Sequence, residues 1–253
     1  MHLTYGALVK RALAAGLAAG LLLALYTLVV VEPAIDRAVD LEERTAEAAP
    51  HGHGDDEERL FSRDTQVGGG IAATMIYAVI VAAVFGTVLA SIRHRLPHLS
   101  ELGRVVWLAA VTFGAVALVP ALKYPANPPA VGDPDTVNDR TVLYLVLIGL
   151  SVALAVGLVR LSGWLRHRMD DASRVLAVAA ATAVGYGLLL VLMPGSPDAI
   201  DPVVPAQLVW DFRIRALGGL ALLWTSIGLG LGWALDRLAA TSTAAADHSV
   251  ATA

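Results

Sequence analysis

Residues 71–92 read IAATMIYAVIVAAVFGTVLASI, 22 positions without an Asp, Glu, Lys, Arg or His. A helix rises 1.5 Å per residue, so about 20 apolar residues cross the roughly 30 Å hydrocarbon core of a bilayer. Working outward from this stretch, charge-free runs recur at 12–31, 105–122, 141–159, 175–193 and 216–235. Their lengths are 20, 18, 19, 19 and 20 residues. The expected fold is all-α: a polytopic integral membrane bundle of six transmembrane helices at about 12–31, 71–92, 105–122, 141–159, 175–193 and 214–235. The 105–122 run is the shortest and contains Pro120, which leaves five spans as the alternative.

Composition agrees. The 253 residues are 57% apolar and 16% charged, with a mean hydropathy of +0.66, whereas soluble domains average about 25% charge. An ordinary cytosolic globule, a disordered chain and a fibrous one are excluded. The net charge of −4 and the lack of a basic domain argue against a nucleic-acid partner. There is no cysteine, hence no disulfide framework, thiolate metal site or Cys nucleophile. No GxxxxGK[ST], HExxH or GxSxG pattern occurs, and no pair of intramembrane aspartates, so an enzyme is not expected.

Lys10 and Arg11 precede the first run as they would a signal peptide. That run is 20 residues long and ends in Val31-Glu32-Pro33 without a small-x-small cleavage pattern, so it reads as a retained anchor. With six spans the connections alternate between two faces. The face bearing the N-terminus collects ten Lys and Arg against five acids; the other collects eight against seventeen. Short loops such as Arg93-His94-Arg95 and Arg166-His167-Arg168 concentrate the first set. The positive-inside rule makes that face, and with it both termini, cytoplasmic.

Proline marks each outward exit, at Glu32-Pro33, Val119-Pro120 and Met193-Pro194, and is expected to stop the helix there. Gly16 with Gly20, and Gly228 with Gly232, are GxxxG pairs that let helix backbones approach closely. Residues 1–238 are expected to form one transmembrane bundle domain. The Ala/Ser/Thr-rich tail, 239–253, is expected to be disordered.

The chemistry lies outside the helices, since none holds an acid or base at mid-bilayer depth and a carboxylate relay is absent. Loop 32–70 is acidic and carries His51-Gly52-His53-Gly54-Asp55-Asp56-Glu57-Glu58. Imidazole suits cobalt, nickel, copper and zinc, and the glycines permit a turn bringing His51 and His53 onto one ion beside Asp55, Asp56, Glu57 and Glu58. The bland reading is a solvated acidic loop with two incidental histidines. A second outer loop holds Lys123, Tyr124, Pro125, Asn127, Pro128, Pro129 and Asp133, stiffened by its prolines. It either caps two helices or shapes the mouth of an ion path. Glu32, Asp211 and Arg213 are read as outer-interface residues, with Trp210 beside them as an interfacial aromatic.

The run VPALKYPANPPAVGDP, residues 119–134, resembles the signature of CbtA-type cobalt transporter subunits. A first helix ending in Glu32-Pro33, a loop with His51 and His53, and a last helix introduced by Phe212-Arg213 and containing Trp224 agree with it. The resemblance covers Lys10 to about Arg237. It implies a bacterial membrane protein for cobalt uptake toward cobalamin synthesis, about five spans, and a small single-span, His-bearing CbtB-type partner subunit. It also favours metal handling by His51 and His53 and a functional role for the proline loop. The expected function is therefore a subunit of a divalent transition-metal importer with cobalt as cargo and nickel as the alternative. No tightly bound cofactor is expected, and the partners are membrane lipid, the divalent ion and the small subunit. A non-transporting scaffold or metal-binding accessory is the competing expectation.

Overall fold

A computed structural model describes residues 4–47, 63–96, 99–129 and 131–251. These residues are helical or irregular, with no strand among them. Six helical stretches are long and apolar enough to cross a membrane: Tyr5–Thr45, Thr65–Arg95, Glu101–Lys123, Pro134–Leu165, Asp171–Leu192 and Ala206–Thr241. The 105–122 run is thus one of six spans, against the five that the family resemblance implies. The chain divides into two compact units, Met1–Ala110 with Gly218–Ala253, and Val111–Leu217.

In the first unit α1 (Tyr5–Tyr26) starts at Thr4, whose hydroxyl accepts from the Ala7 N–H at 3.3 Å. It continues through a π-helical turn (Thr27–Val31) into α2 (Glu32–Glu47). Then follow α3 (Arg63–Ile92) and α4 (Glu101–Phe113). Glu101 ties α4 to the end of α3, accepting from Arg93 at 2.7 and 2.9 Å and from Arg104 at 3.0 Å.

Packing in this unit is a matter of small residues, because between apolar helices in lipid the gain is van der Waals contact rather than escape from water. A Cβ on Gly16 would lie 2.6 Å from that of Ala82, and one on Gly86 2.5 Å from that of Ala12. Both GxxxG pairs are consumed inside the chain: Gly16 and Gly20 face α3 at Ala82 and Ala78, while Gly228 and Gly232 of the last helix face Ala109 and Leu102 of α4. The last helix, numbered α8 below, buries Leu223, Ile227, Leu231 and Leu235 completely, a four-residue stride that keeps one face inward. Trp224 meets Phe85 edge to face at 5.8 Å.

The second unit begins with another π-helical turn (Gly114–Leu118) leading into α5 (Val119–Lys123). It continues through α6 (Val137–Leu165) and α7 (Asp171–Leu192). Its buried centre is Val119, Tyr124, Leu147 and Met193, with Tyr144, Tyr186, Leu189 and Leu190 packed on it. Asp170 caps α7, accepting from the Ser173 N–H at 3.0 Å, and this bond to its charged form holds the Asp170 carboxyl below its ordinary range. The last helix, α8 (Ala206–Ala251), runs through the Ala-rich tail to Ala251. Alanine, which dominates that tail, is the strongest helix former.

Two of the three prolines do not stop their helices. Pro33 lies inside the continuous α1–α2 rod and Pro120 inside the third span. Each is separated by one residue from a π turn, whose last bond runs from the Glu32 N–H to the Thr27 carbonyl or from the Val119 N–H to the Gly114 carbonyl, five residues back. That wider turn absorbs proline's missing donor and its clash with the preceding turn, which an unaltered α-helix could not do. Only Met193-Pro194 ends a helix, α7 closing at Leu192.

Candidate functional site

Two gatherings of polar side chains among the described residues, one in each unit, include residues singled out in the sequence. In the first, α2 carries Glu32, Asp36, Asp40 and Glu43 at spacings of four, four and three, which in an α-helix align on one face. The opposite face holds Ala34 and Ala38, both buried. Arg63, at the start of α3, serves the first two acids: its Nη2 donates to Glu32 Oε1 at 2.5 Å and to Asp36 Oδ1 at 2.6 Å. Asp36, Asp40, Glu42 and Glu43 are exposed. The residues expected to ligate a metal, His51, His53, Asp55, Asp56, Glu57 and Glu58, lie outside the described residues. Among the described residues no group of three His, Cys, Asp or Glu is placed to hold a metal ion.

The second place is built around Asp198, whose side chain is 2% exposed. Its Oδ2 accepts from Asn127 Nδ2 at 2.6 Å and from Arg140 Nη1 at 2.5 Å, and its Oδ1 accepts from the Asp133 N–H at 2.8 Å. Asn127 reaches both ways, its Oδ1 accepting from Arg213 Nη2 at 2.8 Å. That pairing fixes the orientation of the amide. Arg213 Nε is buried without a hydrogen-bond partner.

Local sequence explains how these groups converge. Pro128 and Pro129 set a turn in which the Val131 N–H bonds to the Pro128 carbonyl at 3.2 Å. Gly132 then adopts φ +116°, a region open to glycine and strained for other residues. A Cβ there would sit 2.7 Å from both Asp198 oxygens, so glycine is what lets the next backbone N–H reach the carboxylate. The Asp133 side chain turns back to accept from the Asp135 N–H at 2.9 Å, starting the 3₁₀ turn (Pro134–Thr136) that leads into α6. The first turn of α6 then delivers Arg140.

The neighbouring loop residues are spent on the end of α7. Lys123 Nζ donates to the Leu190 carbonyl at 2.9 Å, one of the final carbonyls that a helix cannot satisfy itself. The Tyr124 hydroxyl donates to the Pro194 carbonyl at 2.8 Å, and burial pushes its phenol above the ordinary value. The hydroxyl therefore stays a donor further into alkaline pH than a solvated tyrosine would.

Of the residues read as an ion-path mouth, Asn127 and Asp133 meet at Asp198 in one hydrogen-bonded knot, with Arg213 on Asn127, whereas Lys123 and Tyr124 bond to backbone carbonyls at the end of α7. The other two expected interface residues are engaged elsewhere, Glu32 by Arg63 and Asp211 by Gln207 at 2.7 Å. Asp198 and Arg140, the centre of the knot, were not among the expected site residues. Their partners stand 58 to 71 positions away along the chain, and no local pattern links them.

A family model described as "Probable cobalt transporter subunit (CbtA)" matches residues 5–236. The chain belongs to the CbtA family. With six spanning helices, it is a multi-pass membrane protein. No curated protein and no solved structure matches it.

The CbtA match takes in both polar gatherings, but their charge balance differs. The Asp198 carboxylate accepts from a guanidinium, an amide and a backbone N–H, with a second guanidinium behind the amide, so it offers a cation little. The α2 face holds four acids in register and one arginine on two of them.

Proposed function

We propose that this chain is the membrane subunit of a divalent transition-metal importer, with cobalt as cargo, and that it collects the ion on the acidic extension α2 and the His-bearing segment after it. The observation that carries this reading is the carboxylate excess along one exposed face of α2, which leads directly into the segment holding His51 and His53. Aligned carboxylates raise the local concentration of cations, and two imidazoles with Asp55, Asp56, Glu57 and Glu58 add the nitrogen donors that suit cobalt or nickel better than calcium or magnesium. Six spans put both termini on one side, and the Arg-rich short loops make that side the cytoplasm of a bacterial inner membrane. The acidic face then meets the outside. The Asp198 knot is a brace that fixes the loops joining α5 to α6 and α7 to α8.

The spans hold little to pass an ion along. Thr182 and Thr87 spend their hydroxyls on carbonyls of their own helices, and Ser151 Oγ is buried without a partner. This favours a second chain, the small His-bearing subunit, as a contributor of ligands to the path. It is also what a metal-holding accessory that does not itself transport would show.

Cobalt accumulation in cells expressing the chain, with and without the small subunit, separates the two readings. The importer reading expects accumulation above a strain lacking the chain in at least one condition; no rise in either would end it. Replacing His51 and His53 by Ala should lower uptake at limiting cobalt and spare it when cobalt is abundant.

A further inference from the structure

We propose that the groove where α6 meets α7, at their arginine-rich ends, binds an anionic phospholipid, its phosphate held by Arg174 and an acyl chain lying along α7. The groove encloses about 520 Å³ and is lined by Ser162 of α6 and by one face of α7. Arg174 stands at its rim, above a floor of Val175, Val178, Ala179 and Ala183. These positions follow the three- and four-residue stride of a single helical face. Thr182 also lines the floor, but its hydroxyl donates to the Val178 carbonyl at 2.7 Å, which leaves its methyl group to the groove. No residue of α7 is buried, so a ligand reaches this face from the lipid phase.

Charge selects the ligand. Residues 160–174 hold Arg160, Arg166, Arg168 and Arg174 against Asp170 and Asp171. Asp170 is occupied in capping α7, so the helix end itself is filled and the arginines do the attracting. Arg174 is held at 2.9 Å by Asp171, whose side chain is 90% exposed while that of Arg174 is 21% exposed. A pair with one member so wet is worth little, and a phosphodiester displaces it readily, with the Ser162 hydroxyl as a second donor. Trp164 is exposed, with the Arg168 guanidinium 3.8 Å over its ring. An aromatic and arginine pair of this kind sits at headgroup level, which sets the depth at which a lipid phosphate would meet Arg174. Basic pockets between transmembrane helices take anionic headgroups in this manner. Inorganic phosphate would leave the apolar floor bare, and a choline headgroup would bring its own cation against the arginines.

The test uses the full chain purified in detergent. Native mass spectrometry and thermal unfolding are followed on addition of phosphatidylglycerol, phosphatidylcholine or inorganic phosphate. Phosphatidylglycerol should remain bound and raise the unfolding temperature, and the other two should do neither. Arg174→Gln should cut its retention about fivefold, the weight of one arginine near an anionic headgroup, while Arg174→Lys should keep most of it. Ala183→Phe, which fills the floor and leaves every charge in place, should also lower retention. Arg166→Gln, an exposed arginine outside the groove, should lower it far less. Equal retention of phosphatidylcholine, or an Arg166→Gln loss as large as that of Arg174→Gln, would overturn the site, as would wild-type retention in both Arg174→Gln and Ala183→Phe. Should Arg174→Gln fail to fold, Arg174→Lys and Ala183→Phe still decide the matter.

Discussion

The two polar gatherings are opposites in stoichiometry. Around Arg63 one guanidinium serves two carboxylates, and further exposed acids continue along α2. Around Asp198 one carboxylate serves a guanidinium, an amide and a backbone N–H, with a second guanidinium behind the amide. Burial follows the same division: the Asp198 side chain is 2% exposed and that of Asp36 is 55% exposed. A buried, saturated carboxylate is a structural element, because removing it strands the charges it neutralises. Exposed carboxylates in excess contribute little to stability and leave a field that attracts cations. Two polar segments, one rich in acids and the other in prolines, therefore differ in what they can do.

The largest expected effect tests the saturated side. Asp198→Ala leaves Arg140 and Asn127 without their acceptor and should cost on the order of 3 kcal/mol, read as a lowered unfolding temperature in detergent. Uptake should fall at every cobalt concentration, since the loss is of fold rather than of capture. If the variant unfolds like the wild type, the knot is not a brace and the contrast collapses. Gly132→Ala comes next. The chain there has φ +116° and no room beside the Asp198 oxygens, so alanine should cost roughly 2 kcal/mol through strain and displacement of the Asp133 N–H. Unchanged stability would show that the loop can reach Asp198 along another backbone path.

Much of this molecule is legible in its sequence, and the gaps have physical reasons. The six spans follow from charge-free length alone, because lipid admits helices and little else. Pro33 and Pro120 mislead, since the π turns that carry the helix past them depend on an i→i−5 bond that neither TLVVV nor GAVAL announces. The proline loop is recognisable as stiff, but its residues divide: Asn127 and Asp133 reach one carboxylate, while Lys123 and Tyr124 reach carbonyls at the end of α7. The carboxylate that Asn127 and the Asp133 N–H share, Asp198, is one of two aspartates in a distant loop. Only the three-dimensional path of the chain singles it out.

The smallest effect on stability, and the sharpest on the comparison, belongs to Asp40→Asn with Glu42→Gln. Both side chains are exposed on α2, so the double variant should unfold within about 0.5 kcal/mol of the wild type. Its uptake at limiting cobalt should nevertheless fall, and should depend less on ionic strength. Two charges fewer weaken the field that concentrates the ion, and salt screens what remains over a Debye length of about 8 Å at physiological strength. Metal in excess should restore the rate, because the ligating groups are untouched. A variant that loses stability as Asp198→Ala does would place the α2 acids with the brace instead. A variant that is stable and takes up cobalt at the wild-type rate in low salt would leave these α2 acids without a part in capture. Only a stable chain whose loss of uptake is relieved by metal and blunted by salt keeps the two clusters chemically distinct.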